Sequence, residues 1–310
     1  MGRNARRTGA GGLTMASQSI RPPLRASNVN VFSRRLKSNI VSGLALLATI
    51  AVITPLIAIL FDLLKEGVTS LNWNFFTKIP VPVGETGGGM ENAIVGSGVV
   101  LALASLIGIP LGIGAGIYLA EYAGSTRMGN LVRFTADVLN GVPSIVMGIA
   151  IYALIVMPQK HFSAFAGGVV LGIMMVPTVT RTTEEMLRMV PHAIREAALG
   201  LGVPAWRSVL TITLRTASAG VVTGCMLAFA RVAGETAPLL FTALGNDFRS
   251  TNLNEPIAAL PLQIYVYALS PYDEWHRLAW AGSLVLIALI IVSVALVRYV
   301  VSRGTLKGAS

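Results

Sequence analysis

The chain has 310 residues, 54% of them hydrophobic and 12% charged, with a formal net charge of +10 and one cysteine. A soluble domain carries about 25% charged residues, so composition excludes a water-soluble globule and indicates a membrane protein. Cys225 alone excludes an intrachain disulfide and a cysteine-ligated metal cluster, and its place in an apolar run makes it a packing residue.

Residues 1–37 read as a basic, disordered cytoplasmic extension. Eight basic residues and no acid lie between Arg3 and Lys37, with one aromatic, Phe32. Beside a membrane, such a run serves orientation and contact with anionic lipid; nucleic-acid binding is the alternative, and the scarcity of aromatics weighs against it. Met15 is a second candidate start.

A bilayer core of about 30 Å is crossed by about 20 apolar residues of helix. The uncharged runs near that length are 39–61, 92–120, 138–159, 162–180 and 278–297. A sixth, 216–230, has 15 uncharged residues and spans only by taking in part of the polar insert before it or Arg231. The expectation is an all-α integral membrane protein with six transmembrane helices, since barrel strands would alternate apolar and polar residues over about ten positions. The first run, with 23 uncharged residues and no small-residue cleavage pattern after it, stays as helix one rather than a signal peptide.

The expected layout is a tail at 1–37, a membrane domain at 38–302 with outer loops 62–92 and 233–276 and an inner loop 181–215, and an inner tail at 303–310. With both termini cytoplasmic, the inner segments hold 18 of the 24 Lys and Arg but only five of the 14 acids, which satisfies the positive-inside rule.

Several features along the chain read as packing or anchoring. Gly108, Gly112 and Gly116, spaced by four, suit close helix approach. Gly87-Gly88-Gly89 reads as a flexible outer turn, with an anion cradle as the alternative. Trp275 and Trp280, with Tyr265, Tyr267 and Tyr272, read as an interfacial belt at the entrance of the last helix, and the stretch 246–270 as an outer loop with an interfacial helix. His161, His192 and His276 are dispersed and form no metal or triad spacing, and no Gly-x4-Gly-Lys-Ser/Thr phosphate loop occurs. The chain is therefore expected not to be an enzyme and to hold no metal.

The polar insert is the most informative segment. Glu184 and Arg188 stand i,i+4 in the order that favours an ion pair. Pro191 interrupts the helix, a second helical piece runs from about His192 to Leu201, and Gly202-Val203-Pro204 forces a turn before periodicity resumes near Ala205. A short helix, a turn and another helix suit a groove on a partner: Ala197 and Ala198 allow close approach, while Arg195 and Glu196 offer charge at a wet rim.

The spacing Glu196-Ala197-Ala198, three residues, Gly202, then Ile212 and Leu214, resembles the cytoplasmic coupling motif of binding-protein-dependent ABC importer permeases. Arg215 stands where that family has a proline, which leaves the entry of the following helix open. Further segments resemble the phosphate-transport branch of that family: Phe75-Phe76-Thr77, Gly84-Glu85-Thr86-Gly87-Gly88-Gly89, Ala93-Ile94-Val95-Gly96-Ser97, Ile117-Tyr118-Leu119-Ala120-Glu121-Tyr122, Asn140-Gly141-Val142-Pro143-Ser144-Ile145-Val146, Arg181-Thr182-Thr183-Glu184, and Ala230-Arg231-Val232-Ala233-Gly234-Glu235-Thr236-Ala237-Pro238. The similarity covers roughly residues 35–302.

The resemblance implies a six-helix MetI-like permease in a bacterial inner membrane, working by alternating access. The implied partners are a second homologous permease, a cytoplasmic ATPase dimer that holds the ATP and Mg2+, an extracytoplasmic phosphate-binding protein and membrane lipid, with no cofactor in this chain. Arg195, Glu196, Ala197, Ala198 and Gly202 are then expected to couple to the ATPase. A phosphate path through low dielectric needs fixed positive charge, which points to Arg231, held or discharged by Glu235 four residues on, and to Arg181. The competing readings are a snorkelling or helix-capping role for both arginines. For the whole chain the alternatives are import of sulfate or molybdate, an ion-gradient-driven secondary transporter, and a non-transporting scaffold.

Overall fold

The computed structural model describes residues 31–306, with side chains from Arg34 to Val301. The positions 1–30 of the expected basic tail and the last four residues lie outside the described part. The chain divides into two units, Met1–Ala58 and Ile59–Ser310.

The described residues of the first unit form most of α1 (Val31–Ser70), a 40-residue helix. It begins at Val31, within the segment read as tail, and nothing from Val31 to Asn39 breaks a helix. Every side chain from Arg34 to Asp62 is exposed, and about half of them are large and apolar, a composition suited to a helix that crosses lipid.

In the second unit, the end of α1 is followed by the short α2 (Trp73–Thr77), capped by Asn72, whose side chain accepts a hydrogen bond from the Phe75 N–H. Next come α3 (Glu91–Ile117), a π turn (Tyr118–Tyr122) and α4 (Arg127–Gly141). After α4, α5 (Ser144–Ile151), a second π turn (Tyr152–Val156) and α6 (Met157–Gln159) run on as one helix. Then follow α7 (Ala164–Arg188), α8 (His192–Gly200), α9 (Ala205–Ser208), a third π turn (Val209–Thr213) and α10 (Leu214–Ala233). The chain closes with α11 (Ala237–Thr242), α12 (Leu260–Ala268) and α13 (Asp273–Leu306), whose reach leaves little of the expected C-terminal tail.

Among the described residues, five stretches are long and apolar enough to cross a membrane: Arg34–Ser70, Glu91–Tyr122, Ala164–Arg188, Ala205–Ala233 and Asp273–Val301. A sixth crossing exists if the pair Arg127–Gly141 and Ser144–Gln159, bent by 105°, is one span. The expected run 138–159 is thus not a straight helix: Pro143 forces Val142 into extended geometry and the chain turns there. The short run 216–230 becomes a 29-residue helix by drawing in both the insert from Ala205 and Arg231.

The core is a close seam between α3 and α7. A Cβ on Gly108 would lie 2.6 Å from the Gly172 carbonyl, one on Gly112 2.6 Å from the Val179 Cβ, and one on Gly116 2.5 Å from the Thr183 Cβ. Only glycine lets the two backbones approach this far. Gly220 and Gly224 of α10 pack likewise on Met186 and Thr182 of α7, and Gly148 of α5 on Pro238 of α11.

At the end of the bundle where α3 starts, Ser97 of α3 accepts a hydrogen bond from the Leu260 N–H at 2.7 Å, and Asn92 donates to the Asn246 carbonyl at 2.7 Å. The 246–270 stretch thus carries α12 and is pinned to α3. Tyr267, expected in an interfacial belt, is instead buried and stacked on Trp275 at 4.6 Å, while Tyr265, Tyr272 and Trp280 are exposed. The glycine triplet is a packed turn: Gly89 fits against the α2 carbonyls of Asn74 and Phe75, and its N–H already donates to Ile79.

Candidate functional site

The coupling segment is built from backbone rules. Pro191, with φ −57° and ψ 139°, ends the turn after α7 and starts α8. At the other end the Gly202 N–H donates to the Leu199 carbonyl at 2.9 Å and the Val203 N–H to the Ala198 carbonyl at 3.1 Å. With Gly202 at φ +80° this is a Schellman cap, and glycine is required because the left-handed conformation penalises a Cβ. Pro204 then starts α9. The helix runs without a break through Arg215, where the resembled family has proline.

Among the expected coupling residues, Glu196 and Ala197 are exposed and Ala198 is buried. Around them Met189, Leu199, Leu201 (85% exposed) and Trp206 present an apolar surface. Arg195 is elsewhere. Instead of a wet rim, its guanidinium lies within the chain, donating to Glu121 Oε1 at 2.8 and 3.2 Å, to the Val190 carbonyl at 2.8 Å and to the Leu187 carbonyl at 2.7 Å.

A second charged cluster sits beside the C-terminal part of α7. Glu184, with its side chain 4% exposed, takes Arg133 at 2.8 Å, the i,i+4 partner Arg188 at 2.7 Å and Arg181 at 3.7 Å. The expected Glu184–Arg188 pair therefore forms, inside a larger set. Arg181 also grips Asp137 of α4 through two bonds of 2.7 Å and one of 3.0 Å, and Arg133 donates to the Leu119 and Gly124 carbonyls. Arg133, Asp137 and Glu121 were not singled out from the sequence. The available signal was their position as isolated charges just after the second apolar run.

Arg231 contrasts with Arg181. It is exposed in the last turn of α10, and among the described residues its guanidinium has neither an ion pair nor a hydrogen bond. The expected pairing with Glu235 does not form: α10 ends at Ala233 and Gly234 caps it, so Glu235 is no longer one helical turn above. Gly220 meets Met186 and Gly224 meets Thr182 as α10 runs antiparallel to α7. Further along α10, Val232 lines a small cleft with Leu171, Val100, Ser97 and Pro261, so Arg231 stands toward the end of the bundle where Ser97 holds Leu260. Arg231 and Arg181 thus stand at different depths, Arg231 toward the Ser97–Leu260 end of the bundle and Arg181 toward the end of α7 that leads into α8. No group of His, Cys, Asp and Glu among the described residues is arranged to hold a metal ion.

A family described as "Binding-protein-dependent transport system inner membrane component" matches residues 108–305. The "Phosphate transport system permease protein PstA" of Yersinia pestis is 44% identical over 270 residues, covering 87% of this chain and 92% of that one. "Phosphate transport system permease protein PstA 1" of Mycobacterium tuberculosis is 36% identical over 280 residues, covering 87% and 91%. Among solved structures, an inward-facing "MetNI methionine ABC transporter" chain aligns with a TM-score of 0.53 at 17% identity, over 70% of this chain and 95% of that one, a likeness of fold.

Proposed function

The chain belongs to the family of binding-protein-dependent transport system inner membrane components, and from that membership we propose that it is the membrane-spanning permease subunit of an ATP-driven importer of inorganic phosphate. The substrate rests on likeness to phosphate permeases along most of both chains. The observation that carries the reading in physical terms is Arg231: an exposed guanidinium with no ion pair among the described residues, one position before Val232 in the cleft beside Leu171. A guanidinium binds an oxyanion through two parallel hydrogen bonds, and away from water that interaction is strong.

Arg181 is the second station. Asp137 already neutralises it, so it attracts phosphate less firmly and suits release toward the inner face. Glu235, past the helix end, lowers the field near Arg231 without occupying it. Transport proceeds by alternating access. An extracytoplasmic phosphate-binding protein delivers the ion, a second homologous permease completes the path, and a cytoplasmic ATPase dimer supplied with ATP and Mg2+ drives the cycle. The exposed apolar surface around Glu196, Ala197 and Leu201 is where that ATPase docks. Catalysis belongs to the ATPase, and both termini of this chain lie in the cytoplasm, as its distribution of Lys and Arg favours.

The test is labelled phosphate uptake at low external phosphate in cells with and without the gene, challenged by excess sulfate or molybdate. Uptake that needs the gene and ignores both competitors supports phosphate. Uptake suppressed by sulfate or molybdate moves the assignment to another oxyanion.

A further inference from the structure

We propose that Arg195 and Glu121 form the joint through which the coupling helix α8 moves the pathway helices α3 and α7, with Arg195 acting as a positioning residue inside the permease rather than as a contact to the ATPase. The inference rests on the importer reading above and adds the residue pair that transmits the stroke.

Among the described residues of the second unit, helix α8 is joined to α7 by the short link 189–191 and has two further attachments. Forward along the chain it packs on α9 and on the π turn Val209–Thr213, which leads directly into α10. Its specific polar attachment to the other helices is a single side chain. From its place in the second turn of α8, Arg195 donates two hydrogen bonds to Glu121 Oε1, in the π turn that ends α3, and one each to the Leu187 and Val190 carbonyls at the end of α7. One planar cation therefore clamps three chain segments. The carbonyls that close a helix carry partial negative charge, so the guanidinium is favoured there, and the carboxylate completes its neutralisation.

The pair is well shielded, with 16% and 10% of the two side chains exposed, so water competes poorly for its bonds. Beyond the joint, α3 and α7 share the glycine seam from Gly116 to Gly108, where the backbones touch and interdigitated packing resists sliding. A push on α8 thus reaches α10 along the chain and reaches α3 and α7 together through Arg195. Glu196, the next residue, is exposed and free to face the ATPase.

The test uses the full complex of both permeases, the ATPase and the binding protein in proteoliposomes, with Glu121→Ala and Glu121→Gln. Two readouts are taken: phosphate accumulated per ATP hydrolysed, and the distance between spin labels at the exposed positions Ala193→Cys in α8 and Tyr122→Cys in the π turn that ends α3, in a Cys225→Ser background, without nucleotide and with ATP and vanadate. In the parent complex α8 moves with the end of α3, so the label distance stays narrow and the same in both states. In Glu121→Ala it broadens or shifts with nucleotide, ATP hydrolysis continues, and phosphate moved per ATP falls about tenfold. Glu121→Gln keeps an oxygen acceptor for the guanidinium and stays within about threefold of the parent.

A Glu121→Ala complex whose label distances and transport ratio both match the parent overturns the joint. A parent complex that hydrolyses ATP without accumulating phosphate overturns the substrate reading instead, and the label distances still decide the joint.

Discussion

Replacing Gly116 and Gly114 of α3 by alanine, one at a time, tests the seam that holds the pathway helices together. The two positions share a helix, a composition and nearly a depth, and differ in what a methyl group meets. At Gly114 nothing lies within 4 Å of the added Cβ. The variant therefore keeps the helix-propensity gain of alanine over glycine, roughly 0.5–1 kcal/mol. At Gly116 the Cβ would sit 2.5 Å from the Thr183 Cβ and 2.8 Å from the Thr180 carbonyl oxygen. Carbon atoms in contact stand about 3.5–4.0 Å apart, so α3 and α7 must separate by about 1 Å. Overpacking of this kind costs about 1–3 kcal/mol, which outweighs the propensity gain. Thermal unfolding of the purified protein in detergent is expected to rise for Gly114→Ala and fall for Gly116→Ala. Equal shifts in the same direction for the two variants would refute the close approach of α3 and α7.

Glu184→Gln leaves Arg133 with its carboxylate partner gone in a shielded site, so a stability loss of about 3–5 kcal/mol is expected, whereas exposed Glu185→Gln should change stability by less than about 0.5 kcal/mol. The same unfolding assay reads both, and equal effects would contradict the cluster. Gly202→Val forces a β-branched residue to φ +80° at a strain of about 1–2 kcal/mol, while Gly202→Asn tolerates that conformation. Since no atom lies within 4 Å of a Cβ there, the backbone alone sets the outcome. ATP-driven uptake should fail with valine and persist with asparagine; loss with both would mean that the position serves contact with the ATPase rather than the turn.

The membrane class, the approximate positions of the spans and the shape of the coupling segment were legible from the sequence because each depends on local rules. Apolar run length located α1, α3, α7 and α13, and Gly202-Val203-Pro204 announced the cap and restart that the backbone adopts. The run 216–230 was expected to span only by taking in part of the insert or Arg231, and it takes in both, because charge at a helix end does not stop a helix. The run 138–159 looked continuous, yet the chain bends by 105° at Pro143.

The charged partners were the least legible part. Glu121 meets Arg195 across 74 positions, Asp137 meets Arg181 across 44 and Arg133 meets Glu184 across 51, and no periodicity reports such pairings. The Arg231–Glu235 pair failed for the opposite reason: a four-residue spacing implies contact only while the helix lasts, and Gly234 ends it.

The most direct test of the account is ATP-driven phosphate accumulation in proteoliposomes holding the full complex, with the parent chain and with Arg231→Gln. The Gln amide can keep one of the two bonds, so losing one charge-assisted bond should lower uptake by about tenfold to a hundredfold, given about 1.5–3 kcal/mol per hydrogen bond to a charged group, while ATP hydrolysis continues and the complex stays assembled. Uptake by Arg231→Gln at the parent rate would contradict the placement of this arginine on the phosphate path.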